Sequence, residues 1–397
     1  MRVRAVVAGV GIVPFTAPGR SRPYTVMGAT AARAALADAG IDYPAVQQAY
    51  VGYVYGDSAV GQAVLHDLGP TGLPVFNVNN HCASGSTALF LGRQAVEFGA
   101  ADVVLVLGVE QMRPGAPETL YTDRPTTYDR YFQVMQRVPA LDEAPIAAQL
   151  YGEAGEEYIR RYGADPQTFA RIAVKARAHA AGNPNALSTE PVTVQQVLAS
   201  GPVHGPLTRL QCSPPTCGAA AAVLVSERFA RRYGCAGPAI TAQAMGSDSA
   251  ATFLGADPTK IVGYDSSKVT AHQVYEQAGI GPAELPVVEL HDSFTTGEIL
   301  AYEALGLTPE GTAERFVADA ANTYGGQVVT NPSGGMLAKG HPLGATGVAQ
   351  CAELVWQLRG QAGARQVDYA NLALQHNVGL GGATVVTLYA NTGSIHR

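Results

Sequence analysis

One cysteine of this chain stands where a reactive thiol would be built. The segment Asn79-Asn-His-Cys-Ala-Ser-Gly-Ser-Thr-Ala88 follows a short apolar run and opens a stretch of very small residues, so Cys82 falls where a strand gives way to a helix. Unpaired N–H groups and the dipole at a helix start favour a thiolate, which predicts a lowered thiol pKa and nucleophilic character. For an arbitrary cysteine a buried structural role is the commoner reading; the strand–thiol–helix context balances the two. His341 lies in Gly340-His-Pro-Leu-Gly344, a glycine-lined turn before another helix of small residues. Such a turn either holds a satisfied histidine or presents a base toward a deep site. Two further segments carry chemistry-bearing side chains: Glu289-Leu-His-Asp-Ser-Phe294, with His291 at a strand end, and Gln375-His-Asn-Val-Gly-Leu-Gly-Gly382, a glycine-rich turn into the final strand.

The elements that must position these residues read as an α/β fold, in which buried-strand runs alternate with small-residue helices. Strands are expected at Val3–Val13, Gln48–Val54, Val75–Asn79, Asp102–Gly108 and Ala219–Val225, with helices at Val26–Ala39 and Gly85–Phe98. The second half repeats the theme with strands at Ala239–Ala244, Pro286–Leu290, Leu372–Gln375 and Ala383–Tyr389. Its helices are expected at Ser266–Gln277, Thr296–Ala304 and Ala345–Leu358. Gly40-Ile41 and Gly279-Ile280 each close a helix and lead to a strand, an echo that suggests a duplicated unit. Between about residues 111 and 207 the strand rhythm stops; this stretch, with helical runs near Pro145–Tyr162 and Asp165–Ala181, reads as an insertion lying over the first half.

With 397 residues, the chain is too long for one ordinary core and suits two fused halves, here 1–235 and 236–397. Apolar residues at 47% against 15% charged can fill that core, and no window approaches the apolar length of a membrane span. A net charge of −6 leaves no basic surplus for nucleic acid. Five cysteines (Cys82, Cys212, Cys217, Cys235, Cys351) are odd in number and lack C-x-x-C spacing. They form neither a disulfide framework nor a metal site, and fit a reducing cytoplasm. The short apolar run after Arg2 and Arg4 reads as a buried first strand, not a signal peptide, and the C-terminal Ser-Ile-His-Arg is not a peroxisomal address.

Taken together, these motifs resemble the thiolase superfamily, in particular its sterol-carrier-protein-type thiolase and bacterial lipid-transfer branch. The resemblance spans roughly Val3 to Tyr389 and rests on motifs in family order. They are Asn-x-x-Cys-Ala-Ser-Gly at 79–85, His-Asp-x-Phe at 291–294, Gly-His-Pro-Leu-Gly-Ala-Thr-Gly at 340–347, and Gln-His-Asn-x-Gly-x-Gly-Gly at 375–382. A fifth, Cys212-Ser-Pro-Pro-Thr-Cys-Gly-Ala, carries Cys217 where the family usually has Asp. The resemblance implies two duplicated βαβαβαββ halves in αβαβα layers, an inserted loop domain, a homodimer, and a coenzyme A thioester as substrate with no permanently bound cofactor. It implies that Cys82 takes the acyl group, that His341 deprotonates it, and that His291 supports one oxyanion hole. The N–H groups of Cys82 and Gly379 would form the other.

One departure bears on the reaction. Most thiolases carry a second catalytic cysteine where this chain has Asn377, and the sterol-carrier branch carries it where this chain has Ser293. Neither side chain is a proton shuttle unaided, so acyl transfer is expected while thiolysis of 3-ketoacyl-CoA is expected to be weak, with Ser293→Cys raising it. His376, Asp292 and Glu298 are the other candidates for that base. The leading expectation is a CoA-dependent acyltransferase of fatty-acid or sterol side-chain breakdown. Alternatives are a retro-aldolase on steroid or acyl-CoA side chains with a small OB-fold partner, using a tyrosine such as Tyr264 or Tyr324, and a non-catalytic acyl-CoA-binding subunit. Since the chain stops after its last strand, no fused sterol-carrier domain is expected.

Overall fold

The computed structural model describes residues 4–116, 121, 123–135 and 144–391. Its strands are β1 (Ala5–Ile12), β2 (Gln48–Gly52), β3 (Val75–Val78), β4 (Val103–Glu110), β5 (Pro202–His204), β6 (Leu207–Thr208), β7 (Gly218–Ser226), β8 (Ala239–Ser247), β9 (Val287–Glu289), β10 (Val329–Thr330), β11 (Leu372–Gly379) and β12 (Ala383–Ala390). Ten of them form one sheet in the order β10-β9-β11-β12-β8-β1-β7-β4-β2-β3, while β5 and β6 make a separate hairpin. At its middle, β1 and β8 pair antiparallel through Ala5↔Ile240 and Val6↔Ala239 alone.

Outward from that seam the two sides have the same order. Each begins with an antiparallel neighbour (β7 or β12), followed by β4 or β11, then two parallel strands, β2 and β3 or β9 and β10. Parallel strands need crossover helices, and these cover both faces. The helices Tyr24–Ala39 and Tyr264–Ala278 lie on the outer faces, against β1 and β7 and against β8 and β12 respectively. Ser84–Glu97 and Leu343–Arg359 pack against each other in the middle, completing the αβαβα order. Leu343–Arg359 is buried except at Trp356 and Arg359, and its polar Thr346, Gln350, Glu353 and Gln357 are buried with hydrogen-bond partners, as an interior helix requires.

The contact between these two central helices depends on missing side chains. A Cβ on Gly85 would sit 2.7 Å from the Gly344 carbonyl oxygen, and one on Gly347 would collide with the Ser86 backbone nitrogen and Oγ. Their N-terminal ends therefore meet at backbone distance. Gly40 and Gly279 adopt left-handed φ values of 64° and 69° as C-caps of their helices, as the sequence echo requires.

The inserted stretch departs from expectation in its placement. Its helices Ile146–Tyr162 and Gln167–Ala180 bury Leu150, Tyr151, Tyr158, Phe169 and Ile172 in one cluster with Leu290, Ile299, Tyr302 and Phe316. It lies over the second half, not the first, because its large apolar side chains find their partners on Thr295–Ala304. Among the described residues no helix is long and apolar enough to cross a membrane.

Candidate active site

The thiol sits in a turn tied by its own neighbours. After β3, the Asn80 N–H donates to Ser84 Oγ (2.9 Å), Ser84 Oγ donates to the His81 carbonyl (2.6 Å), and Asn80 Nδ2 donates to Thr87 Oγ1 (3.1 Å). His81 adopts φ 51°, a left-handed value uncommon for a residue with a side chain. Cys82 follows, two residues before the helix Ser84–Glu97, and is 6% exposed.

Distant elements hold the base. His341 lies between β10 and the helix Leu343–Arg359, after a one-turn helix, Gly335–Ala338, whose Met336 N–H donates to buried Asp292 (2.7 Å). Its own N–H donates to Thr216 Oγ1 (3.1 Å), and Glu110 at the end of β4 accepts from Gly344, Val54 and Tyr55 N–H groups at 2.9, 3.1 and 2.8 Å. Despite those three donors, burial pushes the Glu110 carboxyl up to about 7.

His341 Nε2 lies 3.2 Å from Cys82 Sγ, and its Nδ1 lies 2.8 Å from Thr346 Oγ1. The Thr346 hydroxyl proton is already directed to the Pro342 carbonyl (2.9 Å), so Oγ1 accepts from Nδ1–H. That leaves the lone pair of Nε2 facing the thiol, the tautomer a base requires. Burial, then the neighbouring His81 and Lys339, hold His341 down to about 3, so the imidazole is neutral at rest.

His291 has the opposite polarity. Its Nδ1 accepts from the Val378 N–H (3.3 Å) and meets Asn377 Nδ2 (3.2 Å), which leaves Nε2–H to donate toward Ser293 Oγ (3.0 Å). The Ser293 hydroxyl also bonds to Tyr151. His291 is thus a hydrogen-bond donor in this pocket, held far below its usual pKa by burial and by His341, His376 and His81. Cys82 Sγ and one ring nitrogen each of His291 and His341 lie within 4.8 Å of one another, compact enough for proton transfer around one thiol.

The structure reverses the expected sign of the thiol shift. Burial, with the Glu110 charge adding to it, pushes the Cys82 thiol well above its usual pKa; the backbone N–H groups of Cys82 and Leu380 pull the other way and do not win. These two backbone N–H groups cannot offset removal of the sulfur from water. Cys82 is therefore a neutral thiol beside a neutral base, an arrangement that delivers a thiolate only as substrate is attacked. From the turn after β11 it is the Leu380 N–H that reaches the sulfur, one residue beyond Gly379. Gly379 packs against the Asn80 carbonyl so closely that a Cβ would overlap it.

A family model for the thiolase N-terminal domain matches residues 6–228, and one described as thiolase C-terminal domain-like matches residues 254–390. The chain belongs to the thiolase family. It is 49% identical to "Sterol carrier protein 2" of Oryctolagus cuniculus over 391 residues, covering 97% of this chain and 72% of that protein. It is 42% identical to "Non-specific lipid-transfer protein-like 2" of Caenorhabditis elegans, covering 97% and 96%. Among solved structures, the chain of an "Ltp2-ChsH2(DUF35) aldolase" superposes with a TM-score of 0.83 at 25% identity, covering 99% of both chains.

Cys82, His341, His291, Ser293, Asn377 and Gly379 lie together in this pocket. The tyrosines do not match the sequence reading. The Tyr324 hydroxyl donates to the Arg365 carbonyl (2.7 Å), and Tyr264 faces Glu310, Glu303 and Tyr162. Tyr128 and Tyr151 lie close enough to Cys82 for a thiolate formed there to oppose their ionisation. His376 is engaged by Ser267 (2.8 Å), and Glu298 by Lys175 and Tyr302. Sequence reasoning passed over His81, whose Nδ1 lies 3.1 Å from Cys82 Sγ and whose Nε2 lies 2.9 Å from the Tyr128 hydroxyl. Its adjacency to Cys82 was the signal available.

Proposed function

We propose that this thiolase-family protein is a CoA-dependent acyltransferase of fatty-acid or sterol side-chain metabolism, working through an acyl-Cys82 intermediate. The observation that carries the reading is the Thr346–His341–Cys82 chain of contacts, which supplies a buried nucleophile with a base in the correct tautomer. Substrate attack transfers the thiol proton to His341 Nε2 as Sγ bonds to the acyl carbon. His341 gives that proton to the departing coenzyme A sulfur, which leaves as the thiol, and a second thiol then reverses the steps through the same base. Cys82 and Leu380 N–H groups on one side and His291 Nε2–H on the other are the donors for developing oxyanions. The coenzyme A thioester is a substrate, not a resident cofactor.

The reading extends to organisation. The mirrored strand order supports a division into halves 1–235 and 236–397, with 111–207 inserted in the first. The edge strand β3 leaves Phe76 exposed, which supports pairing of two copies at that edge in a homodimer. A cytoplasmic location accords with five unpaired cysteines.

The likeness to an aldolase chain, together with Tyr128 and Tyr151 beside Cys82, favours a second reading: retro-aldol cleavage of a steroid or acyl-CoA side chain with a small partner. Exchange of isotopically labelled coenzyme A into unlabelled acyl-CoA separates the two. Acyl transfer predicts exchange that Cys82→Ala abolishes. Carbon–carbon cleavage that survives Cys82→Ala, with no exchange in the wild type, would replace acyl transfer by the aldolase reading.

A further inference from the structure

Cys82 is flanked by two imidazoles, and the proposed acyl transfer uses one of them. We propose that His81 and Tyr128 form the second proton-transfer pair of this site, supplying and removing the α-proton of the acyl-CoA that Ser293 and Asn377 are poorly equipped to move. This inference rests on the acyl-Cys82 reading and extends it to carbon–carbon chemistry.

The hydrogen-bond directions lead to it. Because Thr346 fixes His341 with its Nε2 lone pair toward the sulfur, the single Cys82 thiol proton is committed to His341. The 3.1 Å contact between His81 Nδ1 and Sγ then has its proton on nitrogen, so His81 donates. Its Nε2 is left as an acceptor, and the Tyr128 hydroxyl, 2.9 Å away, donates to it. The result is a directed line of protons, Tyr128 O–H to His81 to the space around Sγ, opposite in sense to the line through His341. Ser293, in contrast, receives a proton from His291 and bonds to Tyr151, and Asn377 is spent on Ser86 and His291.

Placement agrees with the role. Cys82, His291 and His341 are buried, while His81 keeps part of its surface exposed, so it is the least covered of the three imidazoles around Sγ. The left-handed backbone at His81 is what turns the ring back onto the thiol of the next residue. Tyr128 comes from the inserted stretch, so one element that distinguishes the first half of the chain completes the relay.

Thiolysis then proceeds in two halves. The Cys82 thiol proton passes to His341 as Sγ bonds to C3 of a 3-ketoacyl-CoA, and the electron pair collapses with cleavage of C2–C3. The resulting acetyl-CoA enolate takes the His81 Nδ1 proton at C2, while Tyr128 gives its proton to Nε2. In the second half, free coenzyme A loses its thiol proton to the same pair as its sulfur attacks the acyl carbon. His341 then returns its proton to the departing Cys82, and every group is restored. An enolate is basic enough to take a proton that ends by leaving tyrosine, even though burial pushes the Tyr128 pKa above its usual value.

The test uses the full-length protein in D2O, with octanoyl-CoA for acylation, acetyl-CoA for α-deuterium exchange and 3-ketooctanoyl-CoA for cleavage. For His81→Asn we expect Cys82 octanoylation to fall less than ~10-fold, while α-deuterium exchange and 3-ketooctanoyl cleavage fall at least the ~10²-fold of a lost general acid–base. Tyr128→Phe, an exposed-side change that keeps the ring, should show the same split at ~10-fold and carries the test if His81→Asn does not fold. Equal losses of acylation and exchange would make His81 a support for the thiol and overturn the inference. So would unchanged exchange in both variants, or a wild type that acylates without exchanging. A wild type that forms no octanoyl adduct fails the acyl-Cys82 reading itself.

Discussion

The strand-to-helix connections after β3 and after β10 occupy matching places in the mirrored sheet, yet they are built differently. The first is five residues long, Asn79 to Ala83, and is pinned by local bonds among Asn80, Ser84 and Thr87. The second runs from Asn331 to Pro342, contains its own short helix, and is pinned by Asp292, Thr216 and Glu110 from three other parts of the chain. One presents a thiol and the other an imidazole, and the glycine contact between the central helices brings the two tips to 3.2 Å. Equivalent positions in two halves can thus carry complementary chemistry: a short turn suffices to place a nucleophile, whereas orienting a ring and fixing its tautomer takes a longer, cross-braced segment.

The helix contact should break most dramatically. Gly347→Val forces a side chain into Ser86 and is expected to cost about 3 kcal/mol or more, lowering the melting temperature by several degrees and separating the two tips. Removing the base alone is next: His341→Ala should leave the melting temperature nearly unchanged while slowing Cys82 acylation ~10²-fold or more in rapid-quench measurements. Removing the group that orients it is milder. Thr346→Val keeps the imidazole but frees its tautomer, and acylation should fall about 10-fold with little change in KM.

The smallest effect is graded and concerns acid. His81 and His179 are held down to about 4, His341 and His376 to about 3, and His291 well below its usual value, all chiefly by burial. Folding on these groups keeps protons off, so the stability they contribute is intact above about pH 6.5 and is lost progressively as pH falls toward 3. Glu110, raised to about 7, and Asp292 and Glu353, also raised by burial, work in the opposite sense, but they are three groups against five. Denaturant midpoints should therefore decline steadily from pH 6.5 to 4; a flat profile would mean these imidazoles titrate normally.

Much of this was legible in the chain because small-residue helices and buried-strand runs leave strong local patterns. The central helices were placed within two residues of their observed starts, and Cys82, His341 and His291 from three separate motifs lie together. What escaped had physical reasons. Strand β11 continues to Gly379 through His376 and Asn377, polar residues that read as a turn but are buried and hydrogen-bonded. The two-residue β10 and the β5–β6 hairpin are too short to show a period. Tyr128 meets His81 across 47 residues, and Glu110 braces Gly344 across 234, distances over which a sequence carries no periodic signal. The sign of the Cys82 shift was missed because a helix start is visible in sequence while complete burial of a sulfur is not.

Intact-protein mass measurement after mixing with octanoyl-CoA tests the central claim most directly, with peptide mapping to locate the adduct among Cys82, Cys212, Cys217, Cys235 and Cys351. A single octanoyl adduct on the peptide containing Cys82, absent in Cys82→Ala and slow to form in His341→Ala, is the predicted result. An adduct on another cysteine that persists in Cys82→Ala, or no adduct at any thiol, would contradict it.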